Sequence, residues 1–466
     1  MKTQAPRYVL ILGGEFPLRE RVLAGALRAS GGLPIYTLAN ARTSATIKFF
    51  DGYIVGDVSD PQGVLKAVQQ HELEHGATPA AIIPMNDFTV RSALAVSQHY
   101  GLHHNSAETV HMCRDKFLMK QVLAAAGLPV PRFGAFLSFE ELQRLADEIG
   151  FPLVIKPREL AGSVGVIKVS NPAELRRAYE QCIADIKVLN GAYVTPDDMF
   201  QAEEYIPAMN EVSVELANHG HTHRVLAVTD KYLGAEPYFV ETGHSVPSVH
   251  TGNKELVRIA ERACEALGIR YGIAHFEARI TPAGEIRIIE VGARTADDAI
   301  MDLVERAYGI NPYEIHVGSY LGKPLDLPAD SLFSRGLAAV SFLKAGEGVI
   351  QGVKMPRSLP DTIVNLQITG KPNDVSERPI SWRAREGSVE FFWKGRDPEQ
   401  GFREHLDTAR RMAAEIFSVR PAAAPAARAT AVAIEEAGAR GGLSRSRVPG
   451  YTERVNAGVP IIGTPR

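Results

Sequence analysis

The sequence predicts an α/β fold in its N-terminal part and a mixed α+β fold in the rest of the chain. Short apolar segments alternate with helical segments up to about residue 108, and this alternation is typical of a parallel sheet. From about residue 150, strands are separated by glycines and short helices, which indicates α+β structure. The chain has 466 residues, 45% of them hydrophobic, so it can bury a substantial core spread over about three domains.

The N-terminal elements begin with the apolar run at residues 8–12, which predicts a buried strand followed by a turn at Gly13-Gly14. A tight turn alone explains the two glycines, although such a pair also lets backbone approach a ligand. A helix is predicted over residues 19–29. Further strands are predicted at residues 34–38, 53–55 and 81–84.

The remaining elements start with a helix over residues 110–127, ended by Gly127 and Pro129. Strands are predicted at 153–156, 166–169, 211–216 and 224–229, and helices at 253–267 and 299–308. The chain is accordingly divided into an N-terminal domain (1–108), a small subdomain with connecting helices (109–200), a large subdomain (201–330), a mixed C-terminal subdomain (331–419) and an Ala/Pro/Arg-rich, flexible tail (420–466).

Composition excludes several classes of protein. The net charge of −3 does not suggest a nucleic-acid footprint, and no stretch reaches the roughly 18 apolar residues of a membrane span. The three cysteines form no CxxC pair, so neither a disulfide framework nor a zinc site is expected. The apolar run near the N-terminus is too short for a signal peptide. We therefore expect a cytoplasmic location.

The strongest local feature is a predicted β-hairpin with strands at residues 275–280 and 285–290 around a turn containing Pro282 and Gly284. If Ile280 pairs with Glu285, then Glu277 and Glu290 share one face as diagonal neighbours, with Cα atoms ~7–8 Å apart. Two carboxylates at one point repel each other unless a cation lies between them, and hard oxygen ligands suit Mg²⁺. The alternative is two solvent-exposed carboxylates on an open sheet face.

Upstream segments have the character of a phosphate site. Lys156 ends a buried strand, and the loop with Gly162, Ser163 and Gly165 that follows allows backbone N–H groups to approach phosphate oxygens. The loop is not a Walker A motif, and a glycine-rich hairpin turn is the alternative. Lys116 opens a helix where an anion can bind, or is an ordinary solvated helix end.

A further pair of strands carries carboxylates that could face a nucleotide. The segment Gln201–Pro207 changes from polar to apolar before a turn, and residues 211–215 then alternate polar and apolar. Glu211 could accept hydrogen bonds from a ribose, with Glu215 on the same face. The alternative for both is a carboxylate on a surface strand.

Taken in order, these features resemble the ATP-grasp superfamily over about residues 8–325. The resemblance implies an ATP-grasp fold preceded by a Rossmann-like (pre-ATP-grasp) parallel sheet, with ATP as co-substrate and Mg²⁺, or Mn²⁺ as an alternative, as the metal. Many members have Asn two residues after the second metal glutamate, where this chain has Gly292. The implied ATP ligands are Lys116, Lys156, Gly162, Ser163, Gly165, Glu203, Glu204, Tyr205, Ile206 and Glu211; the metal ligands are Glu277 and Glu290, and Arg294 steadies the transferred phosphoryl group.

Within the superfamily the chain is most similar to L-amino-acid ligases, the dipeptide synthetases of the bacilysin-synthetase type. The resemblance lies in Thr229-Asp230-Lys231, in Glu241-Thr242-Gly243-His244 with Pro247, and in Glu290-x-Gly-x-Arg294. It implies that Glu241 and His244 face the amino-acid substrates and that Lys231 contacts phosphate.

The expected activity is an ATP-dependent ligation of two amino acids through an aminoacyl phosphate, releasing ADP and phosphate. The partners are then small molecules, with no nucleic acid and no membrane, and a homodimer is left open. The alternatives are an ATP-grasp carboxylase or ligase of nucleotide or other small-molecule biosynthesis, and a nucleotide-binding module without turnover. Asp298 either lines the amino-acid pocket, where it would favour a cationic substrate, or, with Asp297, caps the helix that starts near Ala299.

Overall fold

A computed structural model describes residues 5–13, 20–39, 49–187, 200–208, 210–327, 333–396, 398 and 403–421. Gly14 and the predicted tail beyond residue 421 lie outside these residues. None of the described helices combines the length and the apolar character that crossing a membrane requires. The three cysteines are free and buried.

The N-terminal part is the predicted parallel sheet, with strand order β3-β2-β1-β4. All its pairings are parallel, and β1 is an interior strand because it pairs with β2 on one edge and with β4 on the other. Most of its residues are apolar because both faces of a parallel sheet are usually covered. Its elements are β1 (Arg7–Leu12), α1 (Glu20–Ser30), β2 (Ile35–Ala39), β3 (Gly52–Val55), α2 (Pro61–His75), β4 (Thr78–Pro84) and α3 (Val90–Tyr100).

The predicted helix over residues 110–127 is two helices, α4 (Ala107–Arg114) and α5 (Lys116–Ala125). The break lies at Asp115, whose extended backbone ends α4 and whose side chain accepts hydrogen bonds from the N–H groups of Phe117 and Leu118. The Arg158 guanidinium in turn donates to the Asp115 carboxylate. Lys116 is therefore the first residue of a new helix.

A small antiparallel sheet with strand order β5-β8-β6-β7 follows, covered by two helices. Its last strand in sequence starts at Phe200, so the small sheet extends a few residues past the predicted boundary at residue 200. Its elements are β5 (Phe133–Phe136), α6 (Phe139–Ile149), β6 (Leu153–Pro157), β7 (Ile167–Val169), α7 (Leu175–Lys187) and β8 (Phe200–Glu204).

The largest element is an eight-stranded sheet with order β13-β12-β9-β10-β11-β14-β18-β16. It joins strands from both sides of the predicted boundary at residue 330. Its strands are β9 (Asn210–His219), β10 (Thr222–Leu233), β11 (Glu241–Val246), β12 (Tyr271–Ile280), β13 (Ile286–Gly292), β14 (Gly336–Leu343), β16 (Ile363–Ile368) and β18 (Gly387–Lys394), and its helices are α8 (Lys254–Ala266), α9 (Ile300–Tyr308) and α10 (Pro312–Tyr320).

The C-terminal part adds a three-stranded sheet with order β17-β15-β19. A buried cluster that includes Ile350, Phe391 and Ile416 joins this small sheet to the end of the large one. Its elements are β15 (Gly348–Val353), β17 (Val375–Ser376), α11 (Glu404–Ile416) and β19 (Phe417–Arg420).

His316 on α10 connects the N-terminal sheet to the large sheet. Its Nδ1 accepts a hydrogen bond from the Ile273 N–H at 2.9 Å, and its Nε2–H donates to the Pro84 carbonyl at 2.9 Å. Both bonds need the neutral imidazole, and burial lowers the pKa of His316 to about 4. The imidazole therefore holds the two sheets together only while it is unprotonated.

Acid is expected to weaken this junction. Below pH ~6.5 the unfolded chain protonates His316 while the folded protein does not, so the free energy of unfolding falls as the pH drops from ~6.5 to ~4. At ~1.4 kcal/mol per pKa unit the loss approaches about 3 kcal/mol near pH 4. Urea unfolding across this range measures it. His316→Gln should flatten the profile, whereas His221→Gln, at an exposed histidine, should not. Equal slopes in both variants would contradict the assignment.

Candidate active site

A cavity of about 380 Å³ lies between the small and the large sheet. A volume of this order suits a small molecule or cofactor. The cavity brings together all of the site residues predicted from the sequence except Gly165 and Tyr205. The predicted residues that line it are Lys116, Lys156, Gly162, Ser163, Glu203, Glu204, Ile206, Glu211, Lys231, Glu241, His244, Glu277, Glu290, Arg294 and Asp298.

The predicted register of the carboxylate hairpin is wrong by two residues at the site. The loop is one residue longer than expected, so Ile280 pairs with Ile286, and a β-bulge then shifts the register between Glu277 and Ala278. As a result Glu277 lies directly opposite Glu290 instead of diagonal to it. Directly opposite residues of an antiparallel pair share a face, so both carboxylates still point into the cavity.

Each of these carboxylates has a cationic partner. Lys116 Nζ lies 2.9 Å from Glu290, and Lys231 Nζ donates a short hydrogen bond to Glu277. His275 was missed from the sequence, although strand alternation puts it on the same face as Glu277. Its ring lies 3.0 Å from Glu277 and 2.9 Å from Glu215. Burial lowers the pKa of His275, but the two carboxylates outweigh burial and raise it to about 9.

The donor set fits Mg²⁺ bound together with a phosphate. Glu277 and Glu290 are hard oxygen ligands, and their side chains keep 16% and 19% of their surface accessible from the cavity. In the part of the chain that the structure describes, no group of three or more His, Cys, Asp or Glu side chains could hold a metal. The protein would thus supply two ligands, leaving the others to phosphate oxygens and water, as is usual for Mg²⁺.

Arg294 is held by Asp87, which lies in the turn between β4 and α3 of the N-terminal part. Its Nε donates to Asp87 at 2.7 Å, and Arg114 lies 3.3 Å from the same carboxylate. Burial raises the pKa of Asp87, but the two guanidinium groups hold it well below its usual range. Asp87 was not predicted, because its partner is 207 residues away in the chain.

Glu203 pairs with two buried lysines. Its carboxylate lies 2.7 Å from Lys156 Nζ and 3.1 Å from Lys120 Nζ. Burial lowers the pKa of Lys120 to about 8 despite the opposing effect of Glu203. The Glu203 side chain, which was predicted to meet adenine, is therefore paired with the two lysines. Only the backbone of this strand is then available to an adenine ring. Lys120 was missed, because nothing in a helical lysine indicates an inward direction.

Three residues of the glycine loop adopt the left-handed backbone conformation. Gly162, Ser163 and Gly165 have φ values of 66°, 61° and 69°. Ser163 Oγ donates to the Phe239 carbonyl at 2.7 Å, so its hydroxyl fixes the loop to a neighbouring wall of the cavity. Trp382 packs on Gly162 so tightly that a Cβ there would lie 2.3 Å from the indole. Glycine is thus required at 162 for packing as well as for conformation.

Tyr205 and Glu211, two of the residues predicted to meet the nucleoside, point in different directions. Tyr205 donates its hydroxyl to Glu236 at 2.7 Å, and Lys168 Nζ lies 4.0 Å from its ring centroid. Glu211 faces the cavity 3.6 Å from Arg279. Burial raises the pKa of Glu211 to about 7, although Arg279 opposes the shift. Glu211 is placed to receive a ligand, whereas the Tyr205 side chain is already engaged.

The far end of the cavity is formed by β11 and the residues before α9. Asp298 does not cap that helix: the N-cap is Ala299, which accepts no side-chain hydrogen bond. The Asp298 carboxylate instead binds Arg385 at 2.7 Å and lies 3.6 Å from His244 Nε2. Arg385 thus pairs with Asp298, and a preference of Asp298 for a cationic substrate stays a prediction.

His244 and Lys231 differ in how far their polar atoms are satisfied. His244 is fully buried; Asp298 lies 3.6 Å from its Nε2, just beyond ordinary hydrogen-bonding distance, and its Nδ1 has no hydrogen-bond partner among the described residues. Burial lowers the pKa of His244, so its imidazole is neutral near pH ~7. Burial also lowers the pKa of Lys231, but Glu277 and Glu241 outweigh it and keep the lysine protonated. The cavity therefore offers a neutral imidazole beside a carboxylate at one end and paired cations at the other.

Comparison with known proteins agrees with this geometry. Residues 149–302 match the family model described as an ATP-grasp domain. Over these residues the chain is similar to ATP-grasp domains. The solved L-amino acid ligase of Bacillus licheniformis superposes with a TM-score of 0.70 at 18% identity, covering 90% of this chain and all of that one. The predicted ATP-grasp fold is therefore confirmed, and proteins of this family bind ATP with Mg²⁺.

Curated relatives of this chain include enzymes of different activity. The alanine–anticapsin ligase of Bacillus subtilis is 24% identical over 53% of this chain and 55% of its own length. A formate-dependent phosphoribosylglycinamide formyltransferase of Synechococcus is 24% identical over 84% of this chain and 96% of its own length. The matched part of the chain spans three-fifths or less of the length of the first curated relatives.

A third protein ligand can be tested at Gly292 in β13. A Cβ there would lie 3.4 Å from Arg294 Nε, which is ordinary contact, so a side chain fits. Gly292→Asn is expected to strengthen Mg²⁺ binding to the ADP-loaded protein roughly tenfold, because affinity follows ligand number. Calorimetry measures it. Gly292→Ala adds the Cβ without an oxygen, and equal affinities in the two variants would contradict the expectation.

Proposed function

We propose that the chain is an ATP-dependent carboxylate–amine ligase that joins two amino acids through an aminoacyl phosphate. One observation supports this most strongly. A single cavity has opposed carboxylates with lysines at one end and, at the other, the neutral imidazole of His244, which lies beside Asp298 and Glu241 and whose Nδ1 has no hydrogen-bond partner among the described residues. The first end suits phosphoryl transfer from ATP, and the second suits an amine that must lose a proton.

The reaction has two steps. A carboxylate oxygen of the first amino acid attacks the γ-phosphorus of ATP, ADP leaves, and an acyl phosphate forms. The amine of the second amino acid then attacks the carbonyl carbon, the C–O bond to phosphate breaks, and the amine loses a proton. Lys116, Lys156 and Arg294 would neutralise phosphate charge and orient the transfer. Mg²⁺, held by Glu277 and Glu290, would neutralise charge on the β- and γ-phosphates.

The acceptor amine has to be neutral to attack, and we assign its deprotonation to His244. A neutral histidine whose pKa is lowered can take up a proton near pH ~7 and release it again. Glu241 would orient the ammonium group before it loses the proton. Its carboxylate lies 3.6 Å from Lys231 and 3.2 Å from Arg385, so it is fixed in direction. The glycine loop would keep water from the acyl phosphate.

A second candidate is a ligase of nucleotide biosynthesis that uses the same ATP site with another acceptor. The similarity to the formyltransferase favours it, because that match extends over most of both chains. The two candidate functions make different demands on His244 and Glu241, because only the ligation of two amino acids requires both side chains. A nucleotide-binding module without turnover is the third alternative, and the complete set of lysines and carboxylates argues against it.

The deciding experiment measures phosphate release from ATP across pairs of amino acids, with mass detection of the product. We expect at least one pair to stimulate release and to give a product of the mass of a dipeptide. His244→Asn should lower ligation by about a hundredfold, because general base catalysis is lost, with little effect on ATP binding. If no pair stimulates release while formate with phosphoribosylglycinamide does, the amino-acid assignment is wrong and the second candidate stands.

A further inference from the structure

A short segment from the C-terminal part, Ser381–Arg385, connects two walls of the cavity. It contains a 3-10 turn at Trp382–Ala384. Trp382 contacts the glycine loop, and Arg385 contacts the far end of the cavity, three residues later. The segment lies about 220 residues after the loop it touches, so neither contact follows from local sequence.

The contact with the glycine loop involves both backbone and side chain. The Trp382 N–H donates a long hydrogen bond of 3.5 Å to the Gly162 carbonyl, and the indole fills the space beside the Gly162 Cα. Trp382 is 43% exposed and lines the cavity mouth, so the indole is not needed to fill a core. Any movement of the loop towards a bound nucleotide would therefore change the surroundings of this indole.

The contact with the far wall is polar and largely buried. Arg385 donates to Asp298 at 2.7 Å, and to the Glu241 carboxylate and carbonyl at 3.2 and 3.3 Å. Its guanidinium lies 3.5 Å from the centroid of the Phe342 ring, which fixes its plane. With 13% of its side chain exposed, Arg385 thus orients both carboxylates that flank His244.

The base of the segment is anchored, so that it can transmit a displacement. Glu386 accepts hydrogen bonds from Lys344 Nζ and the Ala345 N–H, each at 2.9 Å, and its own N–H donates to the Leu343 carbonyl. These bonds tie the segment to the end of β14, next to the strand that carries His244. The segment of about four residues thereby joins the glycine loop to the cavity wall that carries Glu241 and Asp298.

We propose that Trp382 and Arg385 are positioning residues that couple the glycine loop to the acceptor end of the cavity. The proposal rests on the function proposed above, since an acyl phosphate has a use only where an amine is ready to attack. The segment links the position of the glycine loop to the orientation of the Glu241 and Asp298 carboxylates. The loop therefore closes over the acyl phosphate at the same time as these carboxylates are oriented towards the acceptor. Loss of the coupling would let water consume the intermediate.

The main test compares Arg385→Gln with Arg383→Gln, an exposed arginine on the same turn. Product formed per phosphate released is measured with the amino-acid pair that the wild type ligates. Arg385→Gln should lower this ratio about tenfold and raise KM for the acceptor while KM for ATP stays unchanged, because charged hydrogen bonds that orient the acceptor wall are lost. Arg383→Gln should match the wild type. An unchanged ratio in Arg385→Gln would overturn the proposal.

A second test needs no amino-acid substrate. The two tryptophans are Trp382 and Trp393, so Trp393→Phe leaves Trp382 as the only indole. Saturating ADP with Mg²⁺ should shift or quench its emission, and Arg385→Gln in this background should reduce that response at least twofold. No response to bound nucleotide would overturn the role of Trp382. If the wild type ligates no amino-acid pair but the emission responds as expected, the proposed function fails while the contact between segment and loop stands.

Discussion

Replacing Glu290 by glutamine is expected to lower ATP turnover by at least ~10²-fold and to remove its dependence on Mg²⁺. Glu290 is one of only two carboxylates that the described residues direct at the same point of the cavity, so its loss halves the protein ligands available to the metal. Charge stabilisation of a transferring phosphoryl group by metal is worth several kcal/mol. Phosphate release measured against Mg²⁺ concentration tests this directly.

Glu285 provides the matched control, because it lies at the other end of the same hairpin with 58% of its side chain exposed. Glu285→Gln should leave both turnover and Mg²⁺ dependence at the wild-type level. Full Mg²⁺-dependent turnover in Glu290→Gln would remove the metal assignment. Thermal unfolding of both variants separates a catalytic loss from a loss of structure.

Replacing Glu203 by glutamine is expected to cost about 3–5 kcal/mol of unfolding free energy. The substitution removes the carboxylate that neutralises Lys120 and Lys156, and breaking a buried ion pair leaves uncompensated charge in a medium of low dielectric constant. Both lysines are almost fully buried, so water cannot replace the lost partner. Urea unfolding near pH ~7 gives the difference.

Glu204, the next residue on the same strand, is the control. Its pair with Arg132 is exposed, with 37% and 46% of the two side chains accessible, so Glu204→Gln should cost less than about 1 kcal/mol. Higher pH should partly rescue Glu203→Gln, because a deprotonated Lys120 no longer needs a counter-charge. A cost for Glu203→Gln as small as that of Glu204→Gln would show that the lysines are not held as charged groups.

The carboxylate hairpin shows how far sequence reasoning reaches in this chain. The two strands and their glutamates were predictable from composition and alternation. The register was not, because no glycine or proline marks the bulge at Glu277. With the longer loop alone, Glu277 would pair with Ile289, and Glu290 would point to the opposite face. The bulge restores the shared face, so the predicted common face of the two glutamates is right although the predicted loop length and register are wrong.

Residues that act through distant partners could not be found from one sequence. Lys120 donates to the Ile289 carbonyl across 169 residues, and Asp87 meets Arg294 across 207. In the local sequence such residues cannot be distinguished from ordinary charged residues of a helix or loop. Arg385 is a third case, since it reaches Glu241 across 144 residues from a segment without a motif. The lysines and glycines of the nucleotide end were predictable because each stands in a local motif.

The pairing of β11 with β14 limits how this chain can be recombined. His244 lies opposite Val340, so the strand that carries the proposed base has its neighbour on the far side of residue 330. A protein ended at that predicted boundary would expose β11 as an edge strand, with unpaired backbone groups that invite aggregation. Chimeras that exchange amino-acid specificity should therefore cross over after Lys394, where β18 ends, so that the acceptor wall is transferred as one piece.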